Sequence, residues 1–141
     1  SPDALVIMLG GNDTKERYHV SAREIGFGME ELLLRLRTAY PFSSVPGVVL
    51  VAPAPLRCGP GPELSAASVE KSRQLAAIFR DVADRFGCAF LDAGEFAALG
   101  ADGIHFTPED HAEMARRAAA AVRALFVEHA RQAEQLQAEA C

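Results

Sequence analysis

The sequence lacks the features that mark a membrane or a nucleic acid as a partner. No apolar stretch reaches the roughly 18–20 residues that a membrane-spanning helix needs, and the longest, residues 4–9, has the length of one strand. No run of lysines and arginines occurs, and 14 Lys+Arg against 19 Asp+Glu leave a net charge of −5. An acidic chain without a basic cluster repels phosphate groups, so nucleic acids and anionic membrane surfaces are disfavoured as partners.

Cysteine is also scarce, with three residues in the chain: Cys58, Cys88 and Cys141. Their number is odd and their spacing fits no metal site, which favours reduced thiols over a disulfide framework. Among the histidines, His19 and His129 have no partner at metal-ligand spacing, and His111 is predicted to be a surface or packing residue. We therefore expect no metal and no cofactor. Because no basic segment followed by an apolar one is visible at the start of the sequence, we expect a cytoplasmic location.

The chain contains two continuous apolar runs, at residues 4–9 and 48–52, and a third short strand-like segment at residues 88–92, which is apolar up to its final aspartate. Such runs are typical of strands that are buried on both faces of a parallel sheet. The segments between and after them have the apolar spacing of amphipathic helices. The order β-α-β-α-β-α predicts an α/β fold, with right-handed crossovers that place helices on the faces of a three-stranded parallel sheet. The length and the 50% hydrophobic content predict one domain over residues 1–141, ending in a polar helical tail from about 131 to 141.

Local patterns mark the ends of the predicted helices. Ser21 and Glu24 form a capping-box pattern at the start of the first helix. Gly87 is the expected C-terminal cap of the second helix. Thr107 is the expected N-cap of the third helix, whose inward face is predicted to include Phe126.

Polar residues of interest follow the first and third predicted strands. In open parallel sheets, ligands bind at the carboxyl ends of the strands. Asn12 follows the first strand, and its carboxamide can donate a hydrogen bond to the oxyanion of an acyl transfer. Asp102 and His105 follow the third strand, and a carboxylate can hold an imidazole in the tautomer that acts as a general base. Each segment alone fits a structural role at least as well, since Asn12 can shape a turn and Asp102 can face a helix N-terminus.

Two short motifs resemble conserved blocks of the SGNH, or GDSL, hydrolase family. Residues 9–14, Leu-Gly-Gly-Asn-Asp-Thr, resemble the Gly-x-Asn-Asp block, and residues 102–107, Asp-Gly-Ile-His-Phe-Thr, resemble the Asp-x-x-His block. The sequences of residues 7–15, 90–94 and 102–107 look most like the arylesterase/acyltransferase branch of that family. The resemblance implies a three-layer, flavodoxin-like α/β fold, of which this chain holds the C-terminal β-α-β-α-β-α part. It also implies hydrolysis of esters or thioesters through a Ser-His-Asp triad.

The resemblance assigns roles to particular residues. His105 would be the base that activates a serine, and Asp102 would be its orienting acid. Asn12 would supply the side-chain donor of the oxyanion hole. Three neighbours would support its loop, two glycines by giving the backbone room and an aspartate by holding the turn: Gly10, Gly11 and Asp13.

The nucleophile of the family has no counterpart here. Neither Gly-Asp-Ser nor Gly-x-Ser-x-Gly occurs in the sequence, so no residue of the chain is predicted to be the nucleophile. Ser1 is terminal, and Ser43 and Ser44 are expected at the opposite end of the sheet. Cys58 follows the second strand, and a pair of Cys58 with His105 is a minor alternative.

The missing block has a structural consequence. The family's strand order is 2-1-3-4-5, and this chain would supply strands 3, 4 and 5, which leaves the strand at residues 4–9 with an unpaired apolar edge. We expect that edge to be covered by an upstream segment of an enzyme of roughly 200–230 residues, or by a second chain. The leading prediction is a serine ester hydrolase or acyltransferase that acts on small acyl esters. The alternative is a non-catalytic SGNH-like binding or assembly module that begins near Ser1 and forms a homo-oligomer through the open edge.

Overall fold

The computed structural model describes residues 2–40, 47–58 and 64–139. Three strands form one parallel sheet in the order β1-β2-β3, as the apolar runs predict. The strands are β1 (Ala4–Ile7), β2 (Gly47–Ala52) and β3 (Ala89–Asp92). The α/β class and the parallel arrangement are therefore confirmed, and the first strand ends two residues earlier than the apolar run does.

Three long helices follow the strands: α1 (Ala22–Ala39), α2 (Ala66–Phe86) and α3 (Pro108–Glu139). The capping box at the start of α1 is present, since the hydroxyl of Ser21 accepts from the Glu24 N–H and the Glu24 carboxylate accepts from the Ser21 N–H. Gly87 ends α2 in the left-handed conformation, as predicted. Both boundaries depend on groups no more than a few residues apart, which is why a sequence pattern can identify them.

The sheet has a core on each face, because successive side chains of β2 point to opposite sides. Val48, Leu50 and Ala52 face α1 and α2. Val49 and Val51 face the other way, where α3 packs. Fully buried side chains of the first core come from both helices and from β2: Leu33, Leu50, Leu75, Phe79 and Val82. The partners that α3 supplies to the second core include Met114, Val122 and Leu125.

Helix α3 covers the sheet less completely than α1 and α2 do. Phe126, predicted to point inward, is 46% exposed, so that prediction is wrong. On the same side of the sheet Val6 of β1 is 44% exposed. Within the described residues β1 pairs with β2 alone, so the other edge of β1 and part of its α3-side face have no protein covering them.

The far end of α3 is helical to Glu139, and the side chains of residues 129–138 are exposed. No helix in the described ranges is long and apolar enough to cross a membrane. Several predictions concern positions outside the described residues, namely those on Ser1, Ser43, Ser44 and Cys141.

Candidate functional site

The loop that follows β1, residues 8–20, is called the β1 loop. Near its start is Gly10, whose φ of +98° lies in the left-handed region that favours glycine. A Cβ on Gly10 would lie 3.0 Å from Cζ of Phe79 and 3.1 Å from Cγ2 of Ile25, so the backbone here lies directly against the core. The chain then turns through a short 3₁₀ helix, Asn12–Thr14, which leaves the side chain of Asn12 exposed.

Thr14 holds this turn against the protein interior. Its side chain is fully buried, and its hydroxyl donates to the carbonyl of Gly11 at 2.7 Å. Gly11 has a φ of −58°, and a Cβ there would meet Pro53 at an ordinary 3.6 Å. Close approach of the backbone therefore accounts for a glycine at position 10 and does not account for one at position 11. Asp13 is exposed, and its N–H donates to the carbonyl of Gly10 at 3.1 Å.

The loop that follows β3, residues 93–107, is called the β3 loop and contains an aspartate–histidine pair. Oδ2 of Asp102 lies 2.6 Å from Nδ1 of His105. Oδ1 of Asp102 accepts from the backbone N–H of Ile104 at 2.9 Å and from that of His105 at 3.0 Å. These bonds, with the Ile104 N–H as the largest cause and the His105 side chain next, hold the pKa of Asp102 well below its usual range.

The charge state of Asp102 determines how the pair is bonded. An ionised carboxylate can only accept hydrogen bonds, so Nδ1 of His105 carries the proton between them. In the neutral imidazole Nε2 then has a free lone pair and can take up a proton. The His105 side chain is 80% exposed, which leaves Nε2 accessible to a reacting group.

A second carboxylate joins the two ends of the β3 loop to α3. Asp110 is only 6% exposed, and it accepts from the N–H of Thr107 at 3.0 Å and from the N–H of Ala98 at 3.2 Å. The hydroxyl of Thr107 accepts in return from the Asp110 N–H at 3.1 Å, which confirms Thr107 as the N-cap. These bonds, the Thr107 N–H first among them, lower the pKa of Asp110. The sequence reveals the cap and does not reveal the bond to Ala98.

The two loops border one cleft of about 320 Å³ at the carboxyl edge of the sheet. Asn12 and His105 both line it, together with Gly10, Gly11 and Asp13. Its other walls are largely apolar: Met8, Leu9, Ala54, Leu56, Leu99, Ile104 and Phe106. His111 also lines the cleft and packs edge-on against the Phe106 ring, with 5.4 Å between ring centroids. The prediction that His111 is a packing residue describes this contact, although its place at the cleft was missed.

The cysteine that the sequence offers as an alternative nucleophile lies outside the cleft. Cys58 is exposed, and it is not among the described residues that line the cleft. Both Cys58 and Cys88 are free thiols. Over residues 2–40, 47–58 and 64–139, no group of three or more His, Cys, Asp and Glu side chains could hold a metal ion.

Comparison with known proteins gives one family. Residues 1–113 match the GDSL-like Lipase/Acylhydrolase family. A carbohydrate acetylesterase from Sinorhizobium meliloti is 34% identical and superposes with a TM-score of 0.79 over 87% of this chain and 61% of its own. The native aryl esterase of M. smegmatis is 30% identical, with a TM-score of 0.72 over 84% of this chain and 61% of its own. No curated protein sequence matches the chain.

The chain therefore belongs to the GDSL-like lipase/acylhydrolase family, and the resemblance in its two motifs is confirmed at the level of the family. Its sheet and helices agree with the three-layer α/β fold of the SGNH hydrolases that it superposes on. It spans 61% of the length of each of these two solved relatives.

Proposed function

We propose that this chain is the C-terminal part of a serine ester hydrolase in which His105 is the general base. The observation that carries the proposal is the 2.6 Å contact between Asp102 Oδ2 and His105 Nδ1, in a cleft that Asn12 also borders. The pair leaves Nε2 of His105 as the proton acceptor, in a solvent-accessible position. The nucleophilic serine comes from polypeptide upstream of residue 1.

The reaction follows from the groups that this cleft holds. Nε2 of His105 takes the proton of the serine hydroxyl as its oxygen attacks the ester carbonyl, and Asp102 stabilises the imidazolium that forms. The carboxamide N–H of Asn12 donates to the oxyanion, where one such donor is worth about 10²–10³ in rate. His105 then gives the proton to the departing alcohol, and water attacks the acyl-serine by the same route in reverse. A second alcohol in place of water gives acyl transfer.

The open edge of β1 is where the upstream segment binds. In the described part of the chain, β1 pairs with β2 alone and Val6 is 44% exposed beside it. A parallel strand paired at that edge would continue the sheet beside Val6. It would also end at the same carboxyl edge as β1, which is the edge that carries the cleft.

The substrate class we propose is a small acyl ester. The solved relatives at 34% and 30% identity carry the names carbohydrate acetylesterase and aryl esterase, and both names describe esters. The cleft of about 320 Å³ with largely apolar walls accommodates a short acyl group.

The test is hydrolysis of p-nitrophenyl acetate by the polypeptide that carries this chain with its upstream segment. His105→Ala should abolish nearly all activity, and Asn12→Ala should lower kcat by about 10²-fold or more without loss of fold. His129→Ala is the matched control, because His129 is exposed and lies away from the cleft, beside Gly47.

Two results would contradict the proposal. One is an unchanged rate in His105→Ala. The other is failure of a fluorophosphonate probe to label a serine in the folded polypeptide, which would instead support a non-catalytic binding or assembly module.

A further inference from the structure

Arg57 lies on the loop after β2 and contacts the β3 loop at three carbonyl oxygens. Its backbone N–H donates to the carbonyl of Gly103 at 3.0 Å. Its Nη2 donates to the carbonyl of Leu99 at 3.0 Å and also to that of Gly100. The two N–H groups of Nη2 lie in the rigid plane of the guanidinium and point in fixed directions, whereas the N–H groups of a lysine ammonium rotate freely on a flexible stem. No sequence pattern singles out this arginine.

The backbone that Arg57 holds is in an uncommon conformation. Leu99 has a φ of +61°, in the left-handed region that a leucine disfavours. Its side chain is nonetheless buried and forms part of the wall of the cleft. Burial of the side chain and the bond from Arg57 to the carbonyl both favour this conformation, so the surroundings maintain a turn that leucine would not adopt by itself.

Gly100 connects this turn to His105. Its N–H donates to the carbonyl of His105 at 2.7 Å. Its carbonyl accepts from the N–H of Gly103 at 3.0 Å as well as from Arg57. Arg57 is thus separated from the backbone of His105 by one residue and one further hydrogen bond.

Gly103 brings the loop against Arg57 directly. Its φ is +72°, and a Cβ at this position would lie 2.7 Å from the carbonyl oxygen of Arg57. Gly103 also lies between Asp102 and the two N–H groups that bind its Oδ1. Arg57 therefore contacts the backbone segment that joins Asp102 to His105.

We infer that Arg57 is a positioning residue, which holds the carbonyls of Leu99 and Gly100 so that Asp102 accepts the Nδ1 proton of His105. Its consequence for catalysis rests on the proposed function, since only a base needs Nε2 unprotonated. The arrangement of the pair is a property of the folded chain and can be measured without a substrate.

The experiment is ¹⁵N NMR of the ring nitrogens of His105, which distinguishes the neutral tautomer protonated on Nδ1 from the one protonated on Nε2. In the polypeptide that carries this chain with its upstream segment, His105 should be mainly in the Nδ1-protonated form. Arg57→Ala should lower the Nδ1-protonated fraction to about half or less, because the loop no longer holds Asp102 in place. Arg57→Lys should give an intermediate fraction, since it keeps the charge and loses the fixed, planar geometry of the two Nη2 N–H groups.

Two further variants make the result specific. Gly103→Ala should change the tautomer in the same direction, since its methyl group would displace the Arg57 contact. Arg73→Ala is the matched control, because Arg73 is exposed on α2 and pairs with Glu70 at 3.5 Å. It should leave the tautomer of His105 unchanged.

An unchanged tautomer in folded Arg57→Ala would overturn the inference. Global unfolding of both Arg57→Ala and Arg57→Lys, seen by circular dichroism, would also overturn it, because the inferred role is confined to the β3 loop. If the tautomer responds while the ester assay fails, the positioning role stands and the proposed function falls. If the assay succeeds while the tautomer does not respond, only the role of Arg57 falls.

Discussion

The β1 loop and the β3 loop border the same cleft, and they are held in different ways. The β1 loop lies on the core, with Gly10 against Phe79 and Ile25 and with Thr14 fully buried. The β3 loop packs on the second core through the buried Ala93 and Leu99, and in addition directional hydrogen bonds hold it, from Arg57 to its carbonyls and from its N–H groups to Asp110.

The difference bears on what each loop does in the cleft. Apolar packing is non-directional and roughly proportional to buried area, so it holds a backbone in place without setting the angle of a side chain. Hydrogen bonds depend on angle, and an aspartate–histidine pair needs a defined one. We therefore expect changes beneath the β1 loop to lower the free energy of unfolding, and changes in the β3 loop to act mainly on the Asp102–His105 pair.

The largest expected effect is on the core beneath the β1 loop. Phe79→Ala removes a fully buried ring that contacts Gly10, and it should lower the free energy of unfolding by about 3–5 kcal/mol in urea denaturation. Phe126→Ala is the matched control, because this phenylalanine is 46% exposed, and its cost should be about 1 kcal/mol or less. Equal costs for the two variants would show that packing beneath the β1 loop is not what holds it.

Gly10→Ala should come next. The left-handed backbone costs an alanine about 1–2 kcal/mol, and its methyl group would lie 3.0 Å from Phe79, which adds about 1–3 kcal/mol of overpacking. The free energy of unfolding should therefore fall by about 2–5 kcal/mol. Gly28→Ala in α1 is the control, since no atom lies within 4 Å of its added Cβ, and it should raise stability by about 0.5–1 kcal/mol. An unchanged free energy of unfolding in Gly10→Ala would contradict the close approach of the Gly10 backbone to Phe79 and Ile25.

A smaller effect is expected at the end of the β3 loop. Thr107→Ala removes the hydroxyl that accepts from the Asp110 N–H and should cost about 0.5–2 kcal/mol, as helix N-caps do. Amide exchange at Ala98 should quicken as well, because its acceptor Asp110 loses a restraint. Thr38→Ala, at the exposed end of α1, is the control and should change stability by about 0.5 kcal/mol or less. Slower or unchanged exchange at Ala98 would show that the Thr107 N-cap bond does not restrain the β3 loop through Asp110.

The smallest effect on stability and the most local one is the titration of Asp102. Its native carboxylate has bonds that the unfolded chain lacks, so its pKa is lowered on folding. The stability it contributes is present above the unfolded-state pKa and is lost as the pH falls below about 4 toward the native-state pKa.

A carboxyl ¹³C titration of His105→Ala tests which bonds lower the pKa of Asp102. Losing the His105 side chain should raise that pKa only part of the way to its usual range, because the Ile104 N–H remains and is the largest cause. A return to the usual value would show instead that the histidine alone sets it.

Much of the fold could be predicted because its signals are local. The apolar runs, the capping box at Ser21 and the cap at Gly87 each involve neighbouring residues, and the structure confirms them. The two motifs likewise placed Asn12, Asp102 and His105 at the carboxyl edge of the sheet, where one cleft includes Asn12 and His105. The predicted inward position of Phe126 was wrong. Helical periodicity identifies the apolar face of a helix but does not show whether another element packs against it, and α3 extends beyond the sheet that it packs on.

The sequence by itself determined the order of the elements, their caps and the residue types at the site, since those depend on groups within a few residues of one another. Only the tertiary structure decided what holds the site in place. Arg57 reaches the carbonyl of Leu99 from 42 residues away, and Phe79 meets Gly10 from helix α2. Such contacts form only once the sheet has aligned the loops at one edge. Every residue has a backbone carbonyl, and a glycine has no side chain, so the sequence does not show which distant residue each of them contacts.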